Sequence, residues 1–356
     1  VMKTYLFSFF LLFYSYTSWA ESTTWKDECI GYYQLQLPDN LEVGLYPAEN
    51  INTKDLPIDA IFGEYHQYRR GNIKNPYSHF YYGKHRVLVS KNNVVSFNKY
   101  KDDVGEDLSY FNHKYNTKQY SHDVFFLSYD ESYSLYIYKK NRLYQFMKGH
   151  DDIRLRTETK YLSSESGILS FLEHFQTREL YDIPSEKGFC LPYGFIANDS
   201  GAEDRDMAVT YRMNNHPDVM IVFQDASYQL PYKVPLNSDL TPVKNYDAKD
   251  YAKWLWNKVY MSYPGHRELL PPGWFSIEMD GRKGSGSFLQ VTRKDGKKDY
   301  GYLAFVRADP KNSTQKPDLQ VYVSSYSFLV TEEHPQISPD ELKALAEHIV
   351  SSVKHR

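Results

Sequence analysis

Alternation of apolar and polar residues governs much of the chain. In MAVTYRM (207–213), Val209, Tyr211 and Met213 share one face; after the polar break NNHPD comes VMIVFQDA. The two runs predict an antiparallel hairpin. WFSIEMD, GSFLQVTRKD and KDYGYLAFVRAD continue the pattern, separated by Asp280-Gly281 and Asp295-Gly296, pairs that favour tight hairpin turns. DLQVYVSSYSFLV predicts one more strand. Helical spacing takes over in NYDAKDYAKWLWNKVYM, where Tyr251, Trp254, Leu255 and Val259 form a stripe behind Asp247 as N-cap. It returns in SPDELKALAEHIVSSVKHR. There Ser338 is the expected N-cap, Pro339 takes N1 and Glu341 completes a capping box. Leu342, Leu345, Ala346, Ile349 and Val353 make the buried stripe, and a basic last turn suits the helix dipole.

The first half follows the same order with more noise. CIGYYQLQLPD and LEVGLYPAE read as strands, and Ile58, Ile61, Phe62 and Tyr65 have helical spacing. RVLVSKNNVVSFNKY, DVFFLSYD and YSLYIYKKNRLYQFMKG alternate. SSESGILSFLEHFQTREL closes the half as a helix with Ile168, Phe171, Leu172 and Phe175 on one face. Each half thus reads as cysteine-bearing strand, hairpin, helix, antiparallel strands, closing helix. At 356 residues the chain has room for about two domains. The expected fold is α+β: two similar domains in tandem, each a mainly antiparallel sheet packed with helices. Their expected bounds are residues 21–180 and 188–356, joined by the short linker 181–187.

Residues 1–20 look like a cleaved signal peptide. Lys3 precedes the apolar core YLFSFFLLFYSY, and TSWA ends on small residues, Ser18 and Ala20. That core is short for a membrane-spanning helix, so a cleaved leader is favoured over an uncleaved anchor, and the mature protein is expected to be exported and not embedded in a membrane. Export changes how the two cysteines, Cys29 and Cys190, are read. In an oxidising compartment an even pair bonds more often than it stays free, a buried unpaired pair being the alternative. Their equivalent placement at the two domain starts makes Cys29–Cys190 the expected disulfide. A formal net charge of −3 gives no basic surplus for nucleic acid. The 34 tyrosines suggest either a recognition surface or the amino-acid bias of an AT-rich genome.

Catalytic patterns are missing. No G-x-S-x-G elbow occurs; GRKGSGS has the wrong spacing and follows Asp280, so it reads as a flexible turn. No histidine pair fits H-E-x-x-H, and GKHR at Gly83 lacks the upstream glycine of a phosphate loop. His113 and His122 lie in polar sequence, and His216 precedes Pro217 in a hairpin loop. Asp102/Asp103, Asp151/Asp152 and Glu332/Glu333 are sequence neighbours, which point to opposite sides of a strand and read as solvated charges. The residues therefore assign no catalytic, cofactor or metal site, and binding is favoured over catalysis. The alternatives are an exported hydrolase with dispersed acidic residues and a periplasmic glycan or small-molecule binder.

CIGYYQLQLPDNLEV resembles the start of a bacterial immunity family that protects against lipase effectors of type VI secretion systems. The matching residues are Cys29, Gly31, Tyr33, Leu37 and Pro38. In the second half the resemblance rests on Gly188, Phe189 and Cys190, on Gly194, Phe195 and Ile196, and on the His216–Val219 stretch HPDV. Tyr32 departs from the family, which often has a basic residue there. The resemblance implies a periplasmic inhibitor of a phospholipase toxin of the α/β-hydrolase type, with no catalytic residues and no cofactor. It does not say which residues touch the toxin.

Overall fold

The computed structural model describes residues 23–45, 78–83, 85–91, 97–110, 114–129, 132–148, 165–227, 247–258, 260–261 and 263–356. The signal segment 1–20, the helical spacing at 58–65, and His113, Asp151 and Asp152 lie outside the described residues. In the first half, β1 (Trp25–Ile30) and β2 (Tyr33–Pro38) form a hairpin, followed by β3 (Leu41–Val43), β4 (His79–Tyr82) and β5 (His85–Val89). Helix α1 (Phe97–Tyr110) precedes a four-strand meander, β6 (Tyr115–Ser121), β7 (Val124–Tyr129), β8 (Ser132–Lys139) and β9 (Arg142–Lys148). Helix α2 (Glu165–His174) and β10 (Phe175–Thr177) close the half.

The second half repeats that order. It has the hairpin β11 (Gly188–Leu191) and β12 (Gly194–Ala197), then β13 (Arg205–Met213), β14 (Val219–Ala226) and α3 (Ala248–Lys258). The meander is β15 (His266–Met279), β16 (Arg282–Thr292), β17 (Lys298–Val306) and β18 (Asp318–Ser325), closed by α4 (Pro339–Ser352) and β19 (Lys354–His355).

One long antiparallel sheet runs through both halves in the order β15-β16-β17-β18-β14-β13-β4-β5-β9-β8-β7-β6, with β3 also beside β13. Outward from its centre, one half reads β4, β5, β9, β8, β7, β6 and the other β13, β14, β18, β17, β16, β15. These are the same topology. The equivalent strands β4 and β13 meet antiparallel, as an approximate two-fold axis between them requires. Two small sheets complete the arrangement: β19 pairs with β2, and β10 pairs with β12. Each half's last strand therefore extends the hairpin that opens the other half.

Alternation explains the strands. β13 buries Met207, Val209, Tyr211 and Met213, and β14 buries Val219, Ile221 and Phe223 on the same side. The Asp280-Gly281 turn has positive φ at both residues, which a two-residue hairpin loop demands. At α4 the capping box is complete: Ser338 Oγ accepts from Glu341 N at 3.2 Å, and Ser338 N donates to Glu341 Oε2 at 3.1 Å. Tyr33, Tyr82, Tyr144, Tyr211, Tyr302 and Tyr322 are buried, so much of the tyrosine builds core.

Three expectations need correction. The stretch RVLVSKNNVVSFNKY is not one alternating run, because its strand stops at Val89 and Phe97 begins helix α1. The basic residues after Ser352 do not belong to the last turn of α4. Val353 is extended, Lys354 and His355 join β2, and Arg356 N bonds Tyr32 O at 3.0 Å. Within GRKGSGS only Gly281 is turn; the rest begins strand β16. A Cβ on Gly286 would lie 2.3 Å from Phe275, so the small residue admits an aromatic ring from the facing strand. The polar segment around residue 118, for which the sequence predicts no element, is strand β6, whose side chains are mostly exposed.

Candidate partner-binding site

The joint between the halves is tightly tied. Cys29 and Cys190 sit at matching positions of β1 and β11 and are disulfide-bonded, with Cα atoms 5.8 Å apart. Beside them Gly31 and Cys190 exchange two backbone hydrogen bonds of 2.9 Å. Gly31 has φ +59°, and a Cβ there would fall 2.4 Å from Asp225 Oδ2, so glycine is required. Asp225 pairs at 2.7 Å with Arg205, and both side chains are fully buried. Burial pushes the Asp225 carboxyl up, and the Arg205 charge pulls it back. The Arg205 guanidinium also lies 4.5 Å over the Tyr32 ring.

Glu28 fixes the segment between the halves. Its carboxylate accepts from Arg178, from Cys29 N at 3.0 Å and from Tyr181 N at 2.6 Å. Arg178 reaches on to Cys29 O and Leu191 O. Its counterpart at the other chain crossing, Arg356, donates to Pro184 O and Glu186 O. Residues 181–187 are thus held from both sides. A cleft of about 420 Å³ opens here, lined among others by Gln34, Lys187, Asp199 and His355. Tyr32 and Tyr82 both donate to Asp199, and burial is the first cause that keeps both phenols protonated.

On one face of the long sheet each half carries its own helix and its own apolar cluster. Under α3 the cluster includes Tyr251, Leu255, Trp256, Met261, Leu289, Leu303, Phe305 and Tyr322. Trp256 Nε1 donates to Ser287 Oγ at 2.8 Å, and Arg267 on β15 donates to Trp256 O and Met261 O. The equivalent cluster under α1 is smaller: Leu88, Phe97, Val104, Phe125, Leu127, Tyr136 and Leu143. Between α1 and β6 a groove of about 740 Å³ remains, with Phe125 and Leu127 on its floor.

The sheet ends at β6 and β15, and among the described residues neither pairs on its outer side. Along β15 four residues, 270–273, oppose one residue of β16. This bulge disrupts a regular edge for pairing. Next to it Leu269 is 37% exposed; with Leu169 of α2 it makes up the exposed large hydrophobics among the described residues.

Among the described residues, the histidines and acidic residues singled out in the sequence do not converge. His122 is exposed beside Asp123, and His216 sits in the β13–β14 turn, where its carbonyl accepts from Val219 N at 2.8 Å. Glu332 and Glu333 are exposed. No group of three or more His, Cys, Asp or Glu able to hold a metal occurs among the described residues. Among those residues no helix is long and apolar enough to cross a membrane. Sequence reading missed the ties Glu28–Arg178 and Arg205–Asp225, because both partners are far apart in the chain and each looks like an ordinary surface charge.

The class defined by this geometry is a two-fold repeated α+β protein built on one long antiparallel sheet and closed by exchanged strands. Residues 182–239 match the family described as "Tle cognate immunity protein 4 C-terminal domain", a family of immunity proteins and not of enzymes. No curated protein matches the chain in sequence. Among solved structures it is similar to the immunity protein TplEi of the type VI secretion system from Pseudomonas aeruginosa, both complexed with "L" peptide and in its apo form. Identity is 15% to each, with TM-scores of 0.56 and 0.57, over 93% and 94% of this chain and 98% of theirs. It is also similar to a chain of the Tle4–Tli4 complex, at 16% identity and TM-score 0.57, over 93% of this chain and 97% of that one. The resemblance drawn from the cysteine-bearing motifs is borne out.

Proposed function

We propose that the protein is an immunity protein that binds and inhibits a cognate type VI secretion phospholipase effector. The carrying observation is the family match at residues 182–239, which contains the Cys190 hairpin and most of the segment between the halves. The fold shared with TplEi and with the Tle4–Tli4 complex over nearly the whole chain supports the reading. The finer picture is a leader at 1–20 that sends the protein to the periplasm, and a partner of the α/β-hydrolase type. The two halves, about 21–180 and 188–356, act as two lobes on one effector.

Inhibition of this kind needs no chemistry from the inhibitor. A lipase must open its active-site mouth to lipid, so a body that covers the mouth or pins a mobile lid stops turnover. The tied joint makes the two lobes stiff, which lowers the ordering cost of binding. The test is direct. Stoichiometric protein should abolish phospholipid hydrolysis by the cognate effector, with a complex of defined mass. Undiminished turnover in excess protein, or phospholipid hydrolysis by the protein alone, would defeat the reading.

A further inference from the structure

The two exchanged strands end alike. Arg178 follows β10 and Arg356 follows β19. Arg178 N donates to Tyr193 O at 3.1 Å and Arg356 N to Tyr32 O at 3.0 Å, each in the turn of the hairpin its strand extends. Tyr32 and Tyr193 are equivalent, three residues beyond Cys29 and Cys190. The two guanidinium groups nevertheless meet different partners. Arg178 pairs with the buried Glu28 carboxylate. The residue equivalent to Glu28, one before the other cysteine, is Phe189, whose ring packs against Tyr32 and Tyr82 and brings no charge. Arg356 is left with two main-chain carbonyls, Pro184 O and Glu186 O, and with the Cys190 sulfur at 3.0 Å. Among the described residues no carboxylate pairs with it. Burial and the Arg178 charge both disfavour its protonated form.

Arg356 lines the cleft of about 420 Å³ at the joint. We propose that this cleft is an anion site that takes a carboxylate group, the counter-charge that Glu28 gives to Arg178 at the equivalent place. The guanidinium is half-buried, so a carboxylate beside it gains more than one at an open surface. Lys187 and His355 are exposed on the cleft's rim, and Gln34 and Ser200 add neutral hydrogen-bonding groups. Two acids also line it. Asp199 already accepts from Tyr32, from Tyr82 and from Gly201 N at 3.0 Å, and Glu186 is exposed. Their charges oppose a phosphate dianion more than a carboxylate, which carries a single charge. The source of the carboxylate is an acidic side chain of a polypeptide or a free small acid. The site goes beyond the immunity reading, and its test uses no effector.

The experiment titrates the full-length, disulfide-bonded protein and follows its backbone amides by NMR. The probes are a capped glutamate tripeptide, the same peptide with glutamine, sodium acetate and inorganic phosphate. The glutamate peptide should bind with a Kd of about 1 mM and shift the amides of Lys187, Gly188, Gly201 and His355. The glutamine peptide should bind at least ~10-fold more weakly, which is about 1.4 kcal/mol. Arg356→Gln should weaken the glutamate peptide by a similar factor, and Arg356→Lys should recover part of the loss. Acetate binding as tightly as the glutamate peptide assigns the site to a free acid, and weaker acetate assigns it to a polypeptide side chain. Equal binding of the two peptides, no shift at these amides, or phosphate at least as tight as the glutamate peptide would overturn the proposal. So would unchanged affinity in a folded Arg356→Gln protein. If that variant does not fold, the comparison of the two peptides on the parent decides alone.

Discussion

Helices α1 and α3 hold equivalent places in two halves of one topology, yet they are attached differently. Helix α3 buries two aromatic rings and two smaller apolar side chains, and the strand below makes room for it. A Cβ on Gly301 would lie 2.8 Å from the Trp256 ring. Helix α1 has no acidic residue in its first turn and no basic one in its last, and its described anchors are Phe97 and Val104. The lesson is that repeated topology sets where a helix lies, while side-chain volume sets how firmly it is held.

The largest expected effect tests that division. Trp256→Ala should cost about 3–5 kcal/mol, from lost burial, the cavity and an unpaired Ser287 hydroxyl. Val104→Ala, in the equivalent helix, removes two methyl groups' worth of burial and should cost about 1.5 kcal/mol. Chemical denaturation of both variants measures the ratio. Equal costs would mean that the two helices are held alike.

The joint comes next. Replacing both cysteines by alanine removes a bond between residues 161 apart and should cost about 2–4 kcal/mol. Because Glu28, Arg178 and Arg356 cross the same joint, the variant should still fold as one cooperative unit. Two separate unfolding transitions would instead show that the halves depend on the disulfide alone. Titration of the unfolded native protein should find no free thiol.

Acid should act on the two halves with opposite sign. His85 in β5 is buried against Tyr133, its Nε2 2.7 Å from the hydroxyl; burial and the Lys148 charge lower its pKa to about 3. The unfolded chain protonates near 6.5 while the folded one stays neutral, so stability falls as pH drops below about 6.5. At pH 5 this amounts to about 2 kcal/mol. Asp318 in β18 is raised by burial to about 6, against the pull of Arg307. Between about pH 4 and 6 the folded state holds a proton that the unfolded state has released, so this residue's contribution falls as pH rises. The gap between His85→Gln and the parent should therefore narrow on acidification, and the gap for Asp318→Asn should widen. Parallel pH curves for both variants would refute the assignment.

The sequence made the repeat legible through order alone. The central hairpin β13–β14 and the second meander follow from alternation and turn residues, whereas the short strand β4 of the other central hairpin goes unread. The closing helix α4 is legible too, its capping box carrying its own local signal. What escaped was non-local or weakly patterned. Helix α1 carries a glycine and many charged residues around two described anchors, so its first residues read as the tail of a strand. Strand β6 is an exposed edge, and alternation fades where neither face is fully buried. The exchange of β10 and β19 between halves leaves no mark in sequence, because two- and three-residue strands are defined by their partners.

The smallest effect bears on α1 itself. If the strength of the helix itself limits α1, the end of the helix should respond to charge. Asn98 is exposed in the first turn, where backbone N–H groups lack partners and the dipole is positive. Asn98→Asp should stabilise the protein by about 0.3–0.5 kcal/mol at low salt, and the gain should shrink as salt is added. Helix α4 already has Asp340 and Glu341 in its first turn. Lys343→Glu, one residue beyond that turn, adds charge where the dipole is largely satisfied and removes the Glu347 contact, so it should give no gain. The readout that matters is local. Amide exchange across 101–109 should slow in the Asn98→Asp protein without any change across 251–258. A uniform slowing of both helices would mean that α1 opens only with the whole molecule, and that the two halves differ in packed volume but not in independence.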